Sequence, residues 1–515
     1  MNKIKKSILS DFSASIVVFL VALPLCLGIA LGSQAPLFSG IIAGVIGGIV
    51  IGALSGSALS VSGPAAGLIA IVILSLQKLG SYESFLLAVV LAGGIQIIFG
   101  FLRLGSLGDF VPNSVIKGML AAIGIILVIK QIPHFFGYGN VLQIDGDSMQ
   151  ATDHSSSIFN LTQIFDHISF VATLIGMVSI IILIIFEFNF FKKNKYLKFV
   201  PAPLIAVVFG ALINEYFLRI NVDLALKREH LVYLSEFANI TELKSSLIFP
   251  SFEKIYSPEI WYIAATIAIV ASIETLLCIE ATDKLDKLKR RTSTNRELKA
   301  QGFGNLIAGF IGGLPITSVI VRSSANVNAG AQTKLSAVFH GFWLILSVIF
   351  IPNLLNKIPY ASLAAILIVT GLKLAKPSIF KELYKLGYDQ LIPFAVTIIA
   401  ILLTNLLLGI FVGIILSVAF ILRSNFKSSI MIVQEQNKYL LRFRKDVSFF
   451  NKSMLKKMLD QFPRRSSVLI DVSKSDFIDK DVIEVINDFL KNASMKRIHV
   501  EIKKNNFNDL HKLIK

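Results

Sequence analysis

Between residues 12 and 423 the sequence is a succession of apolar runs, and about 20 apolar residues in a helix are needed to cross the roughly 30 Å of a bilayer's hydrocarbon. The runs fall near 12–31, 38–56, 59–76, 84–102, 113–132, 168–189, 198–214, 258–280, 299–314, 317–330, 335–352, 360–376, 388–404 and 405–423. They predict an all-α polytopic membrane protein of about fourteen segments, several too short or too Gly-rich to stand alone as regular spans. An even number puts both termini on the same side. The composition agrees: 54% of the residues are hydrophobic, 16% are charged, and the mean hydropathy is +0.71, which excludes a water-soluble globular fold of this length.

The formal charge of +17 is carried in loops and in the last ninety or so residues. That distribution fits cytoplasmic loops and an inner-face domain, and argues against nucleic-acid binding. Lys3, Lys5 and Lys6 precede the first run; Lys192, Lys193, Lys195 and Lys198 lie between the sixth and seventh; Lys284, Lys287, Lys289, Arg290 and Arg291 lie between the eighth and ninth. All three groups are expected in the cytoplasm. The stretch from 133 to 167 has Asp145, Asp147, Asp153 and Asp166 but no Lys or Arg, and the loop 215–257 is mixed in sign, so both belong outside. No clear cleavage site follows the first run, which reads as a retained span in the inner membrane rather than a signal peptide. Cys26 and Cys278 both sit in apolar sequence, indicating neither a disulfide framework nor a zinc site.

After Arg423 the pattern changes to that of a small soluble α/β unit, residues 424–515. Tyr439–Arg444 alternates like a strand, Asn451–Gln461 is helical in pattern, and Ser467–Val472 reads as a buried strand. Val482, Val485, Ile486 and Phe489 recur at helical spacing within Asp479–Asn492, and Arg497–Ile502 closes the order β-α-β-α-β as a further strand. The unit is expected on the cytoplasmic side.

Two short Gly- and Ser-rich interruptions break the apolar sequence, Leu59–Gly67 and Pro315–Ser324. Irregular backbone at membrane depth survives only where it is buried in protein or lines a cavity, and matched broken helices in two halves of a chain point to a secondary transporter. Ser62-Gly63-Pro64 reads as the start of a half-helix running through Ala65, Ala66, Gly67 and Leu68, because proline at a first helical turn lacks only an N–H that would be orphaned anyway. A tight helix crossing is the other reading of those small residues; Gly44, Gly47, Gly48 and Gly52 of the preceding run suit that packing role.

In the second interruption Arg322 is a permanent cation in apolar surroundings, where a central charge costs about 2.5–3.5 kcal/mol on insertion scales. Either it snorkels or pairs with a carboxylate to hold helices together, or it joins the freed N–H groups around Ser318 to Ile320 in a positive site for a small anion. Glu274, within Ile269–Cys278, is the other costly residue. It is a candidate proton or cation relay, with Cys278 on the same helix face, or a neutral carboxyl that holds helices together by hydrogen bonds. Gln96, Lys130 and His340 read as packing or interface residues. No phosphate-binding loop, HExxH or paired-cysteine motif occurs, so neither an enzyme nor a cofactor is implied.

The run Asn295-Arg296-Glu297-Leu298-Lys299-Ala300-Gln301-Gly302-Phe303-Gly304-Asn305, continued by Gly312-Gly313-Leu314-Pro315, Arg322-Ser323-Ser324-Ala325-Asn326 and Ala329-Gly330-Ala331-Gln332-Thr333, resembles the signature of SulP-type inorganic anion transporters. Arg103-Leu104-Gly105 with Phe110-Val111-Pro112, and Gln131-Ile132-Pro133-His134, resemble the same family's fourth and fifth spans. The C-terminal unit resembles a STAS domain. This resemblance implies a seven-plus-seven inverted repeat, as in uracil permeases. A core of segments 1–4 and 8–11 would move against a gate of segments 5–7 and 12–14, in a homodimer embedded in lipid. It implies an anion site of Leu25 from a broken first span, Ser62, Gly63, Ala65 and Ala66 from segment 3, and Ser318, Val319, Ile320 and Arg322 from segment 10. Glu274 and Cys278 of segment 8 would couple transport to H+ or Na+.

Five positions depart from the family pattern. Val321 stands where a Ser often precedes the Arg, and Leu25 follows Pro24 where many sulfate-type members have Gln. Glu274 and Cys278 replace the Asp and hydroxyl residue of bicarbonate-transporting relatives, which weakens sodium coupling and leaves proton coupling through Glu274. Lys480 follows the acidic loop Asp476-Phe477-Ile478-Asp479 where phosphorylatable relatives have Ser. The expected activity is secondary-active transport of bicarbonate or sulfate by elevator-like alternating access. Small apolar pocket residues around a single Arg favour bicarbonate. The alternatives are an uncoupled anion channel or motor of the same architecture, a membrane receptor signalling through the STAS-like unit, and a nucleobase permease, whose pocket would call for carboxylates in place of Arg322.

Overall fold

A computed structural model describes residues 2–106, 111–138, 168–188, 201–234, 246–404, 406–427 and 429–504. The lysines at 192–198, the aspartates at 145–166 and Phe110 lie outside the described residues. The chain divides into two compact units, Met1–Leu386 with Phe394–Val412, and Gly387–Pro393 with Gly413–Lys515.

Each apolar run contains a helix or half-helix. In chain order these are α1 (Asn2–Gly32), α2 (Leu37–Leu54), α3 (Ala66–Leu79), α4 (Tyr82–Phe101), α5 (Asn113–Phe135), α6 (Phe170–Ile185), α7 (Ala202–Ile220) and α8 (Pro258–Leu285). They continue as α9 (Thr294–Phe310), α10 (Ile320–Asn328), α11 (Leu335–Phe350), α12 (Tyr360–Leu374), α13 (Tyr388–Leu403) and α14 (Leu406–Lys427). Among the described residues, seven stretches are long and apolar enough to cross a membrane unaided: Ser7–Gly32, α2, α4, α5, α7, α8 and Tyr360–Leu386. The last of these is α12 continued, after a short break, by the amphipathic helix Pro377–Leu386. The first span is not broken: α1 runs unbroken through Pro24.

Close helix pairs build the first unit. On α4, Gly93 and Gly100 lie seven residues apart; on α9, so do Gly302 and Gly309. A Cβ on Gly93 would come within 2.7 Å of the Gly302 carbonyl oxygen, and one on Gly302 within 2.6 Å of the Gly93 carbonyl oxygen. Where a helix pair in hydrocarbon gains nothing from excluding water, such backbone contact supplies the attraction. α8 packs on α4, β2 and α10, α1 on α2 and α11, and α5 and α6 on α12. The glycines of α2 pack as expected: Gly48 meets Gly341 of α11, and Gly47 abuts the Ser62 backbone at a five-residue π-helical turn, Gly47–Ile51.

The two interruptions are not the free helix starts expected from sequence. Ser62–Pro64 forms β1 and Ile316–Ser318 forms β2, antiparallel partners in the register Ser62↔Ser318, Gly63↔Thr317 and Pro64↔Ile316. The half-helices begin beyond them, α3 at Ala66 and α10 at Ile320. Extended backbone at membrane depth must find hydrogen-bond partners, and each break supplies the other's.

In the second unit a four-stranded sheet runs β3 (Ile430–Glu435), β4 (Lys438–Phe443), β5 (Ser467–Asp471), β6 (His499–Lys503), with β3–β4 antiparallel and the rest parallel. Helices α15 (Lys452–Asp460) and α16 (Lys480–Ala493) provide the two crossovers. The order is thus ββαβαβ. The added strand β3 pairs with β4 through the two-residue turn Gln436-Asn437. Leu441, Phe443, Val468, Ile470, Val482 and Ile486 form the core.

At the end of β5, burial alone would raise the Asp471 carboxyl, but hydrogen bonds from Ser473 and Arg442 outweigh it and hold it below its ordinary range. A depressed carboxyl contributes stability above its unfolded pKa of about 4 and loses that contribution as pH falls through the folded value. Arg442→Ala is therefore expected to speed hydrogen exchange in β4 and β5 at pH 7, with the difference from wild type shrinking as pH drops below 4.

Candidate functional site

The crossing of β1 and β2 is held by a polar lattice buried among the helices. Asn305 of α9 clamps β2: the Ile316 N–H donates to its Oδ1 at 2.6 Å, while its Nδ2 donates to the Ile316 carbonyl at 3.0 Å and to Gln96 Oε1 at 2.7 Å. Gln96 Nε2 in turn donates to Ser272 Oγ at 3.3 Å, so Gln96 ties α4 to α8 and α9. One turn along α9, Gln301 Nε2 donates to Ser62 Oγ at 2.7 Å and to Glu297 Oε1 at 3.1 Å. Glu297 is fully buried; its Oε2 accepts from Ser55 Oγ at 2.5 Å, and the Gly56 and Ser57 amides also bond to it. Residues 297, 301 and 305 recur every four positions, so one face of α9 positions both strands.

The strands' remaining donors are also engaged. Ser318 N–H donates to Thr275 Oγ1 at 3.2 Å, Val319 N–H to the Val61 carbonyl at 3.0 Å, and Val61 N–H to Ser323 Oγ at 3.0 Å. The sequence reading had the N–H groups from Ser318 to Ile320 free; those of Ser318 and Val319 are taken by α8 and by the other interruption. The helical N-terminal donors of α10 are instead the amides of Ile320, Val321 and Arg322, since the first intrahelical bond runs from Ser323 N–H to Val319. The Ile320 and Val321 side chains are themselves exposed.

Arg322 has no exposure at all. Its Nη2 donates to Cys26 Sγ at 3.3 Å, while Nε and Nη1 have no hydrogen-bond partner. A Cβ on Gly63 would collide with Nη1, and one on Gly44 would lie 2.6 Å from Cys26 Sγ. Two glycines and a cysteine therefore make room for the guanidinium. The side chain neither snorkels nor meets a carboxylate: among the described residues no salt bridge involves it. Leu25 packs in the apolar cluster with Leu27, Ile41 and Leu344, and its neighbour Cys26 is the α1 residue that touches Arg322. His340 of α11 is also fully buried, near enough to feel the Arg322 charge, and its ring nitrogens make no hydrogen bond of ordinary geometry.

On the other side of the crossing, Glu274 lies against the first turn of α3. A Cβ on Gly67 would lie 2.7 Å from both of its carboxyl oxygens, and its Oε2 has no hydrogen-bond partner. Ala65, buried, and Ala66, half-buried, form the junction of β1 and α3. Cys278 Sγ accepts from Ser318 Oγ at 3.3 Å, and Ser318 Oγ is in short contact with Ser60 Oγ. The structure thus gathers Ser62, Gly63, Ala65, Ala66, Ser318, Val319, Ile320, Arg322, Glu274 and Cys278 at the crossing of the two strands and the starts of the two half-helices. Sequence reasoning missed Cys26 beside Arg322 and the positioning roles of Glu297, Gln301 and Asn305. The four-residue spacing of the last three was the available signal.

Residues 8–397 match the sulfate permease family. The chain belongs to that family. BicA of Picosynechococcus sp., a bicarbonate transporter, is 26% identical to this permease-family chain over 426 residues, 80% of this chain and 70% of BicA. YvdB of Bacillus subtilis, a candidate sulfate transporter by its name, is 26% identical over 442 residues, 85% of this chain and 78% of YvdB. The solved transmembrane domain of a cyanobacterial BicA superposes with a TM-score of 0.63 at 23% identity, covering 79% of this chain and 97% of that one. SLC26A9 superposes with a TM-score of 0.76 at 16% identity, covering 99% and 86%. The sulfate permease fold therefore extends over the first unit, and the C-terminal α/β unit is consistent with a STAS domain.

Proposed function

We propose that the protein is a secondary-active transporter of a small inorganic anion, bicarbonate or sulfate, in the inner membrane. The observation that carries this reading is Arg322: a fully buried cation with two unpaired nitrogens at the junction of two half-helices whose N-terminal amides attract negative charge. The anion is held by these donors with Ser62, Gly63, Ala65, Ala66, Ser318, Val319 and Ile320, and Leu25 backs the pocket. The apolar lining favours bicarbonate. Transport is coupled through Glu274 and Cys278; a carboxyl and a thiol in place of two oxygen ligands favour the proton over sodium. The fourteen segments form two inverted sets of seven. Segments 1–4 and 8–11 carry the site past segments 5–7 and 12–14 in an elevator-like motion, within residues 1–423. Both termini and the STAS-like unit, residues 424–515, are cytoplasmic, and the protein is a homodimer in lipid.

Proteoliposomes given radiolabelled bicarbonate or sulfate, with pH and sodium gradients imposed separately, test this reading. Uptake driven by the pH gradient is expected, and it is expected to disappear in Glu274→Gln. Conductance that persists in Glu274→Gln without any gradient dependence would establish the uncoupled channel instead.

A further inference from the structure

Two kinds of helix contact occur in the first unit. α5 and α12 meet backbone to backbone, as α4 and α9 do: a Cβ on Gly371 of α12 would lie 2.6 Å from the Gly124 carbonyl oxygen of α5, and one on Gly124 would collide with the Gly371 carbonyl oxygen. Where this pair meets α1 and α3, side chains fill the gap instead. A Cβ on Gly28 of α1 would rest 3.4 Å from Leu367 of α12, an ordinary contact. One on Gly32 would lie 3.0 Å from Gln131 Nε2 of α5, 3.2 Å from Leu367 and 3.4 Å from Ile69 of α3. Four helices thus converge on the carboxamide of Gln131. Helices in backbone contact move as one body, whereas a seam of side chains permits the small sliding of a shear motion. Gln131 is 1% exposed, yet neither its Nε2 nor its Oε1 has a hydrogen-bond partner. Leu367 and Ile69 beside it are apolar and buried, and Ser33 Oγ, just past the end of α1, is likewise buried without a partner. A buried amide left unpaired has lost its water and gained nothing in return, a penalty that an apolar side chain of similar volume would not carry.

We infer that Gln131 is a release device: it weakens the seam between α1 and α3 on one side and α5 and α12 on the other, so that this arrangement of helices is readily left. The inference rests on the proposed motion of segments 1–4 past segments 5–7 and 12–14, and it names the residue that sets how easily they part. While the seam is closed the carboxamide is dry and unpaired. When the helices slide, water reaches both of its ends. Each parting recovers the hydration lost on closing, and the closed arrangement is held less tightly than its apolar contacts alone would hold it. An apolar side chain at position 131 would turn the seam into a lock.

The test uses full-length protein carrying Ser33→Cys, reconstituted in proteoliposomes and treated with a membrane-impermeant maleimide. Protein without that substitution serves as the blank for the buried native Cys26 and Cys278. Ser33 has no exposure, so its labelling reports partings of the seam. Gln131→Leu and Gln131→Met are each expected to slow the labelling about tenfold, within the range set by one buried unpaired group. The same variants should melt higher in detergent and exchange radiolabelled bicarbonate or sulfate several-fold more slowly. Gln131→Glu, of nearly the same shape, buries a costlier group and is expected to label faster than wild type. Labelling at the wild-type rate in both apolar variants overturns the inference, as does a lower melting temperature in both, since the carboxamide would then be holding the seam together. If wild type carries neither anion while labelling and melting shift as expected, the transport reading fails and the release device stands.

Discussion

Replacing Arg322 with Leu is expected to abolish anion uptake and, in the same protein, to raise its apparent melting temperature. Function and stability separate here because the guanidinium is buried with two nitrogens unpaired and, among the described residues, no ion-pair partner. Truncating a buried charge that holds a ligand costs about 2–5 kcal/mol of binding, a loss of 30-fold or more. Replacing buried charge with an apolar group of similar volume is often neutral or stabilising by about 1–4 kcal/mol. Uptake in proteoliposomes and a fluorescence melt in detergent measure the two effects. Saturating bicarbonate should raise the wild-type melting temperature and leave that of Arg322→Leu unchanged. A variant that melts lower than wild type and still carries anions would overturn the assignment of Arg322 to the site.

For Glu297→Leu the expected sign of the stability change is the reverse. Glu297 is as buried as Arg322, but it accepts hydrogen bonds from Ser55 and Gln301 and from two backbone amides. Removing the carboxyl strands those donors, and each buried unsatisfied group costs about 1–3 kcal/mol. A total loss of about 3–5 kcal/mol is expected, seen as lower yield of folded protein and a lower melting temperature. Glu297→Gln keeps the shape and one acceptor oxygen and should lose about a third of that. Because Gln301 spans Glu297 and Ser62, both variants are also expected to weaken anion uptake in proportion to the displacement of β1. Equal stability of Glu297→Leu and wild type would remove Glu297 from the supporting lattice.

These two residues also mark what could be read from the sequence. The apolar runs locate α1 to α14, because length and hydropathy decide where a chain can lie in hydrocarbon, whereas the amphipathic helix Pro377–Leu386 falls between two runs and is not foreseen. The breaks at Leu59–Gly67 and Pro315–Ser324 were legible for the same reason, as was the cost of Arg322. Their pairing was not. Three residues of strand joined to three others some 250 positions away leave no periodicity in either stretch, and the sequence suggested two helix starts where two strands lie. Glu297 escaped notice because it falls in the polar first turns of α9, where a carboxyl looks ordinary; only the packed structure shows that it has no exposure. The family resemblance implied a break in the first span, but α1 continues through Pro24 without one. In the C-terminal unit the sequence reading begins its strands at Tyr439 and passes over β3, whereas β5 and α16 stand out by pattern.

The strand pairing has a mechanical consequence. Ser62, Gly63 and Pro64 of one half are hydrogen-bonded to Ile316, Thr317 and Ser318 of the other, and α9 grips both. The two halves therefore share a cross-brace at the spot where substrate would sit, and neither half-helix can swing away from the other without breaking it. On the proposed transport reading, a site braced like this would not open and close like a jaw; it would travel whole. It would then present the same donors at the same spacing to either compartment, leaving the gradients to decide which way the cargo goes.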